Sequence, residues 1–279
     1  MRLATVTFAG RRLPAVERDG DLYALAVPAG TDLAAVLAAG PDAIRDAAAG
    51  ARERLVGAKL EAPLRPGKIV AIGLNYLDHI REAGTARPER PLVFAKFPSS
   101  VIGPGEPIVI DPDLTQRVDW EVELAVVIGS RLRHVSPAAA LDGVAGYTVA
   151  NDVSARDLQF SDGQWIRGKS LDTFCPLGPV VVTPDEIDDP GALRLWTDVN
   201  GERVQDSSTA EMLFGVAELI AFCSRSFTLE PGDLLLTGTP WGCGEFMTPR
   251  RCLAPGDVVE VGVERIGLLR NPVSARSDT

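Results

Sequence analysis

Histidine and cysteine are scarce in this sequence, with two of the first and four of the second among 279 residues. The cysteines (Cys175, Cys223, Cys243 and Cys252) have no CxxC spacing and form no dense framework, so they are expected to be reduced thiols rather than a disulfide scaffold. Clusters of Lys and Arg are also missing, and the net charge is −10, which argues against nucleic acid as a partner. No apolar run approaches the ~20 residues that cross a bilayer, and the first residues lack the apolar stretch of a signal peptide. No GxSxG elbow is present, which argues against a serine hydrolase. These absences predict a cytoplasmic protein that handles small molecules and uses neither membrane nor nucleic acid.

What is present is ordinary in bulk and unusual in detail. Hydrophobic content of 46% and charged content of 24% suit a folded chain long enough to bury a large core. Residues 1 to about 27 alternate like a small β-meander, with a turn at Gly10 and a hairpin signal at Asp19-Gly20. The Ala- and Leu-rich stretch from Asp32 to about Val56 has helical spacing, broken at Gly40-Pro41. Pro63 and Pro66-Gly67 mark a linker, so a small N-terminal domain over 1–66 and a larger domain over 67–279 are expected. The larger part is dominated by short β-like runs between Gly/Pro turns, with a hairpin signal at Asn200-Gly201. Ser208-Thr209-Ala210-Glu211 has capping-box spacing and predicts the start of an amphipathic helix.

Glu121 and Glu123 head the apolar run Leu124–Ile128, and in a strand residues two apart share a face. A second apolar run, Val144–Val149, delivers Asp152 at its end. Three convergent carboxylates make a hard-oxygen set suited to Mg²⁺, Mn²⁺ or Ca²⁺. An isolated pair of strand glutamates more often lines a solvated face, so the neighbouring motifs decide between the two.

Asn75 is placed to cap a short helix from Tyr76 to Ala83, ended by Gly84. In that helix His79 and Glu82 are neighbours on one face. A carboxylate beside an imidazole orients it and raises its basicity, as a general base requires. The other histidine, His134, sits in a loop-like stretch. Lys169, flanked by Gly168 and Ser170, either solvates a loop or enters a site through a tight turn. Arg156 pairs with Asp157 or Asp152, or contacts substrate. Thr237-Gly238-Thr239-Pro240 is a strand end and turn, with or without a substrate contact.

Five segments taken in order resemble the fumarylacetoacetate hydrolase superfamily, its bacterial acylpyruvase and 2-hydroxyhepta-2,4-diene-1,7-dioate isomerase-like branch. They are Gly73–Glu82, Asp119–Leu124, Asn151–Asp157, Gly168–Phe174 and Leu236–Pro240, and the likeness covers about residues 68–273. One such motif is weak, whereas five in register are specific. The resemblance implies an α+β, mainly β fold, a mixed β-roll with peripheral helices and a small N-terminal α+β domain, assembled as a homodimer. It implies Mg²⁺ or Mn²⁺ (Ca²⁺ in crystals) on Glu121, Glu123 and Asp152, and a water-activating dyad at His79 and Glu82. It further implies a charge-stabilising role for Lys169 and substrate contacts at Arg156, Gln159 and Thr239.

The activity so implied is metal-dependent hydrolysis of a C–C bond in a 2,4-dioxo acid, an acylpyruvate or a diketo sugar acid, through a metal-stabilised enolate. The same machinery serves decarboxylation of a β-keto acid such as oxaloacetate, or isomerisation and tautomerisation of a dienoate. The His–Glu pair favours hydrolysis or decarboxylation over simple isomerisation. A catalytically silent metal-binding β-roll is the reading from another class, and retention of the metal, dyad and lysine positions argues against it.

Overall fold

The computed structural model describes residues 1–277. Its first three strands, β1 (Arg2–Phe8), β2 (Arg11–Arg18) and β3 (Asp21–Ala24), form the expected meander, and the helices α1 (Leu33–Ala38) and α2 (Pro41–Gly50) divide at Gly40-Pro41. The strands β4 (Ile69–Gly73), β5 (Leu92–Lys96), β6 (Val122–Ile128), β7 (Val144–Asn151), β8 (Cys175–Val182) and β9 (Leu234–Leu236) continue one large sheet, to which the short strands Lys59–Glu61 and Val101–Ile102 add at β1 and β8. Its strand order is β3-β2-β1-β8-β7-β6-β9-β4-β5. The expected boundary near residue 66 falls in the connection before β4, and pairing crosses it, since Arg2 and Leu3 of β1 lie opposite Val182 and Val181 of β8. A second, five-stranded sheet runs Glu202–Ser208, Arg194–Val199, Val258–Val263, Gly267–Ala275 and Ile108–Ile110. The result is the mixed, mainly β architecture with peripheral helices that the resemblance implies.

Both faces of the sheet's central strands are buried, and β6 shows how. Val122, Leu124, Val126 and Ile128 belong to one core cluster, which also holds Leu195, Val261 and Leu269 of the second sheet. Ala125 and Val127 point the other way and join a second cluster with Leu33, Val36 and Leu37 of α1 and Ile44 and Ala47 of α2. A strand covered on both sides reads as a continuous apolar run, which is why Leu124–Ile128 does not alternate. Glu121 and Glu123 share the parity of Ala125 and Val127, so they lie on the face covered by the N-terminal helices, beyond the end of that cover.

Strand direction gathers the site at one end of this sheet. Val122 pairs with Asn151 of β7, Ala125 with Leu236 of β9, and Leu236 with Ala71 of β4. The start of β6 therefore meets the ends of β7, β9 and β4, and the loops leaving those ends carry the polar residues.

Two helix boundaries differ from expectation. Asn75 does not cap α3 (Leu77–Ala83); Tyr76 is the N-cap, and Gly84 ends the helix in the left-handed conformation as expected. Ser208 caps only a single 3₁₀ turn, Thr209–Glu211, and the amphipathic helix begins later, at Val216, with Gly215 as N-cap and Glu218 bonded back to it. In both cases a side chain able to cap is used for tertiary contact or a turn instead, a choice local spacing does not reveal.

Candidate active site

Glu121, Glu123 and Asp152 are all buried, and one carboxylate oxygen from each lies within 4.8 Å of the others. The backbone locks this arrangement. The Asp152 N–H donates to the Glu121 carbonyl at 2.9 Å, and the Glu121 N–H donates to Asn151 Oδ1 at 3.0 Å. The Gly238 N–H, just past β9, donates to Glu123 Oε2 at 2.7 Å.

Cations surround the cluster unevenly. Lys169 Nζ lies 2.8 Å from both Glu121 Oε2 and Asp152 Oδ2. Lys96 Nζ, wholly buried, donates to Asp152 Oδ1 at 2.6 Å and also to the Lys169 carbonyl. Arg156 sits 2.6 Å from Glu121 and 2.9 Å from Asp119, with Nη1 donating to Gln159 Oε1 at 3.0 Å. Asp119 in turn accepts the Gly244 and Glu245 N–H groups at 2.8 and 3.0 Å, tying the arginine to the 243–246 turn. Burial would raise the Glu121 carboxyl, but Lys169 and Arg156 beside it hold it down to about 2. Glu123 has no such partner: burial, then the Asp152 and Glu121 carboxylates, push it well above the usual range.

Four acidic side chains (Asp119, Glu121, Glu123, Asp152) thus face three cations (Lys96, Lys169, Arg156), and Glu123 is the one without an ion-pair partner among the described residues. An all-oxygen donor set with an excess of buried negative charge fits a hard divalent cation.

His79 and Glu82 form the expected pair on α3: His79 is buried, and its Nδ1 lies 3.0 Å from Glu82 Oε2. Glu82 is itself fixed, since its Oε1 accepts the Gly242 N–H at 2.8 Å. A carboxylate is acceptor-only, so Nδ1 carries the proton and Nε2 is the ring nitrogen offered to a ligand. Phe246 packs edge-on against the imidazole at 5.3 Å between centroids.

These groups line one cavity of about 190 Å³, walled by His79, Glu121, Arg156, Gln159, Lys169 and Thr239 together with the apolar Ile72, Phe94, Phe160, Trp165 and Phe246. Glu82 stands behind His79, and Glu123 and Asp152 lie deeper than Glu121. All nine residues singled out in the sequence are therefore brought together. Lys169 arrives on a short helical turn, Ile166–Lys169, because Gly168 lets that turn touch the helix Arg156–Ser161; a Cβ there would fall 2.6 Å from the Gln159 nitrogen. Arg156 pairs with Asp119 and Glu121 rather than with Asp157 or Asp152. Thr239 Oγ1 accepts from Gln205 Nε2 at 3.0 Å, which orients its hydroxyl.

Sequence reasoning missed Lys96, Asp119, Asn75 and Gln205 as parts of this site. Asp119 and Asn75 stand inside the motifs and had a signal; Lys96 at the end of its strand and Gln205 in the middle of Glu202–Ser208 are single polar residues marked only by their burial. Asn75 links α3 to its surroundings, donating to the Phe214 and Thr237 carbonyls at 3.1 and 2.8 Å and accepting the Phe214 N–H at 3.0 Å.

A strand-end carboxylate cluster opening on a small cavity, on a mainly β scaffold, is the architecture of a small-molecule enzyme. The chain belongs to the fumarylacetoacetate hydrolase family: residues 68–274 match the fumarylacetoacetate (FAA) hydrolase C-terminal model. Oxaloacetate tautomerase Fahd2a, mitochondrial, of Rattus norvegicus is 49% identical over 210 residues, which is 75% of this chain and 67% of that protein. The solved fumarylacetoacetate hydrolase of the psychrophilic Exiguobacterium antarcticum matches at a TM-score of 0.91 and 43% identity, covering 99% of this chain and 100% of that one. The 2-hydroxyhepta-2,4-diene-1,7-dioate isomerase of Mycobacterium marinum matches at 0.80 and 34% identity over 100% of both chains. Two of these three names are tautomerase and isomerase, the activities that stood as alternatives to C–C hydrolysis. Among the described residues no helix is long and apolar enough to cross a membrane.

Proposed function

We propose that this enzyme interconverts the enol and keto forms of a small 2-oxo dicarboxylic acid of the oxaloacetate class, with Mg²⁺ or Mn²⁺ held by Glu121, Glu123 and Asp152. The observation that carries the reading is the cavity of about 190 Å³ that His79, held by Glu82, shares with Lys169; the pair, read from the sequence as favouring hydrolysis or decarboxylation over isomerisation, can equally carry a proton to and from carbon. That volume is below the ~300–1,000 Å³ of pockets for drug-sized ligands and suits a substrate of a few carbons. The names of the tautomerase and isomerase relatives support the same class of proton transfer.

The bound cation would supply Lewis-acid polarisation of the substrate's 2-oxo and carboxylate oxygens. His79 Nε2 delivers or removes the proton at C3, and Glu82 offsets the imidazolium charge and keeps the ring oriented. Lys169 faces the oxygen on which negative charge grows. Arg156, oriented by Gln159 and Asp119, and Thr239, oriented by Gln205, hold the carboxylate end. Phe94, Trp165 and Phe246 keep water away and strengthen these interactions.

The test follows the ultraviolet absorbance of enol-oxaloacetate after dilution into buffer. Enzyme with Mg²⁺ should speed its decay over buffer alone, and EDTA should abolish the effect; no acceleration at any metal concentration overturns the proposal. Hydrolysis of a 2,4-dioxo acid is the second reading, favoured because the same dyad is placed to activate water. Pyruvate release from a panel of acylpyruvates would establish it. The homodimer and cytoplasmic location remain part of the proposal, the first checked by sedimentation.

A further inference from the structure

The dyad has a third neighbour for which proton transfer has no use. Cys243 Sγ lies 3.9 Å from His79 Nδ1, which is 3.0 Å from Glu82 Oε2. The donor atoms of all three residues fall within 4.8 Å of one another. Separate elements deliver them, α3 the histidine and glutamate, the turn after Pro240 the cysteine. The two are fastened together, because the Gly242 N–H donates to Glu82 Oε1 at 2.8 Å. Gly242 has φ 96°, and a Cβ on it would meet the Val204 carbonyl oxygen at 2.1 Å, so only glycine passes there and Cys243 is held in place.

Imidazole nitrogen, thiolate sulfur and one carboxylate oxygen form a donor set of softer character than the all-oxygen cluster below it, and zinc favours it. Bonds of 2.0–2.3 Å in a tetrahedron place neighbouring donors roughly 3.4–3.6 Å apart. The observed separations of 3.9 and 3.0 Å lie on either side, within side-chain adjustment. One thiolate and one carboxylate balance a dication, which matters because Cys243 is fully buried and His79 nearly so.

We propose that His79, Glu82 and Cys243 form a second metal site that captures Zn²⁺ or a similar soft divalent cation and thereby switches the enzyme off. On capture the thiol proton leaves to solvent and the S–metal bond forms, while the imidazole proton moves from Nδ1 to Nε2 as Nδ1 becomes a ligand. The His79–Glu82 hydrogen bond is lost, and with it the proton carrier. Without the cation the thiol stays protonated, because burial and then the Glu121 and Asp119 carboxylates push it well above its ordinary value. Inhibition rests on the proposed role of His79 in turnover; the metal site does not.

Two measurements on the full-length protein, both in saturating Mg²⁺, separate these points. Titration with Cd²⁺ should raise the ultraviolet thiolate-to-cadmium band at one equivalent, and Cys243→Val should lose that band, with Cys243→Ser as the substitute if the valine variant does not fold. Zn²⁺ should inhibit turnover of the wild type, whereas Cys243→Val should keep its Mg²⁺-dependent rate and need ~10–100-fold more Zn²⁺, the usual cost of disturbing a metal's coordination. A wild type with no cadmium band overturns the site. So does equal Zn²⁺ sensitivity in both proteins that excess Mg²⁺ relieves, since the ion would then be acting on the carboxylate cluster. A band that depends on Cys243 in a protein without tautomerase activity keeps the site and removes the proposed function.

Discussion

Glu123 and Lys96 are buried ionisable groups under very different conditions. Lys96 is wholly buried yet finds Asp152 at 2.6 Å, while Glu123 has one backbone N–H and two carboxylates for neighbours. A divalent cation would reverse that imbalance, so Glu123→Ala should remove Mg²⁺ binding while the fold survives; calorimetry showing unchanged Mg²⁺ affinity would contradict the ligand assignment. His79 is separable from the metal by the same logic. His79→Ala should slow enol–keto exchange on the order of 10²–10⁴-fold, the range for a lost general acid–base, with Mg²⁺ affinity unchanged. If 2,4-dioxo acids are also cleaved, that activity should fall with it, because both reactions need a proton acceptor at this position. The sequence announced Glu121, Glu123, Asp152 and the dyad through spacing and motif. It was silent about Lys96, since a lone lysine at a strand end has no local signature, and its meaning comes from Asp152, 56 residues away in the chain.

Among elements, α3 shows where local reasoning succeeds and where it stops. Its Gly84 stop and the shared face of His79 and Glu82 follow from local sequence, the second from spacing three residues apart, a short-range property of helices. How α3 is held does not, because Asn75 serves partners near residues 214 and 237 instead of the helix N-terminus. Asn75→Ala would leave the buried Phe214 N–H and Thr237 carbonyl without this partner, costing about 1–3 kcal/mol. Thermal denaturation should show that loss, and hydrogen exchange should quicken across α3; an unchanged melting temperature would mean that α3 is held by apolar contacts alone. The helix Arg156–Ser161 makes a contrasting case. Asp157 in its first turn accepts Thr115 Oγ1 at 2.6 Å and the Gln116 N–H at 3.0 Å. Partial burial opposes ionisation there, but these hydrogen bonds win and lower the Asp157 carboxyl below its ordinary value. Its stabilisation is therefore present above the unfolded value of about 3.9 and lost as pH falls through the folded one. Asp157→Asn should flatten the acid limb of a stability–pH profile slightly, the effect being small because the group is only partly buried and solvent screens it.

Across the whole molecule, the large sheet is closed on both faces by apolar packing, and the charged cluster occupies the one end where that cover stops. The sheet order joining residues 1–66 to β8 was not legible from the sequence, because pairing of Arg2 with Val182, 180 residues apart, leaves no local trace. The price of the cluster should appear in global stability. Burial and the Asp152 and Glu121 carboxylates oppose ionisation of Glu123 in the metal-free protein, and a bound Mg²⁺ would offset that opposition. At a free Mg²⁺ concentration 100 times the dissociation constant, binding to the native state alone stabilises by about 2.7 kcal/mol. For a chain of this size each kcal/mol moves the melting temperature by roughly 2–4 °C, so Mg²⁺ should raise it by roughly 5–10 °C over EDTA. Glu123→Gln keeps the shape and the Gly238 hydrogen bond while removing the charge. It should therefore melt above the metal-free wild type and respond little to Mg²⁺, at the expense of activity. Calorimetric scans of both proteins with Mg²⁺ and with EDTA give the four temperatures required. A glutamine variant that melts below the metal-free wild type would show that the cluster is not strained by its own charge and that Lys96, Lys169 and Arg156 already balance it.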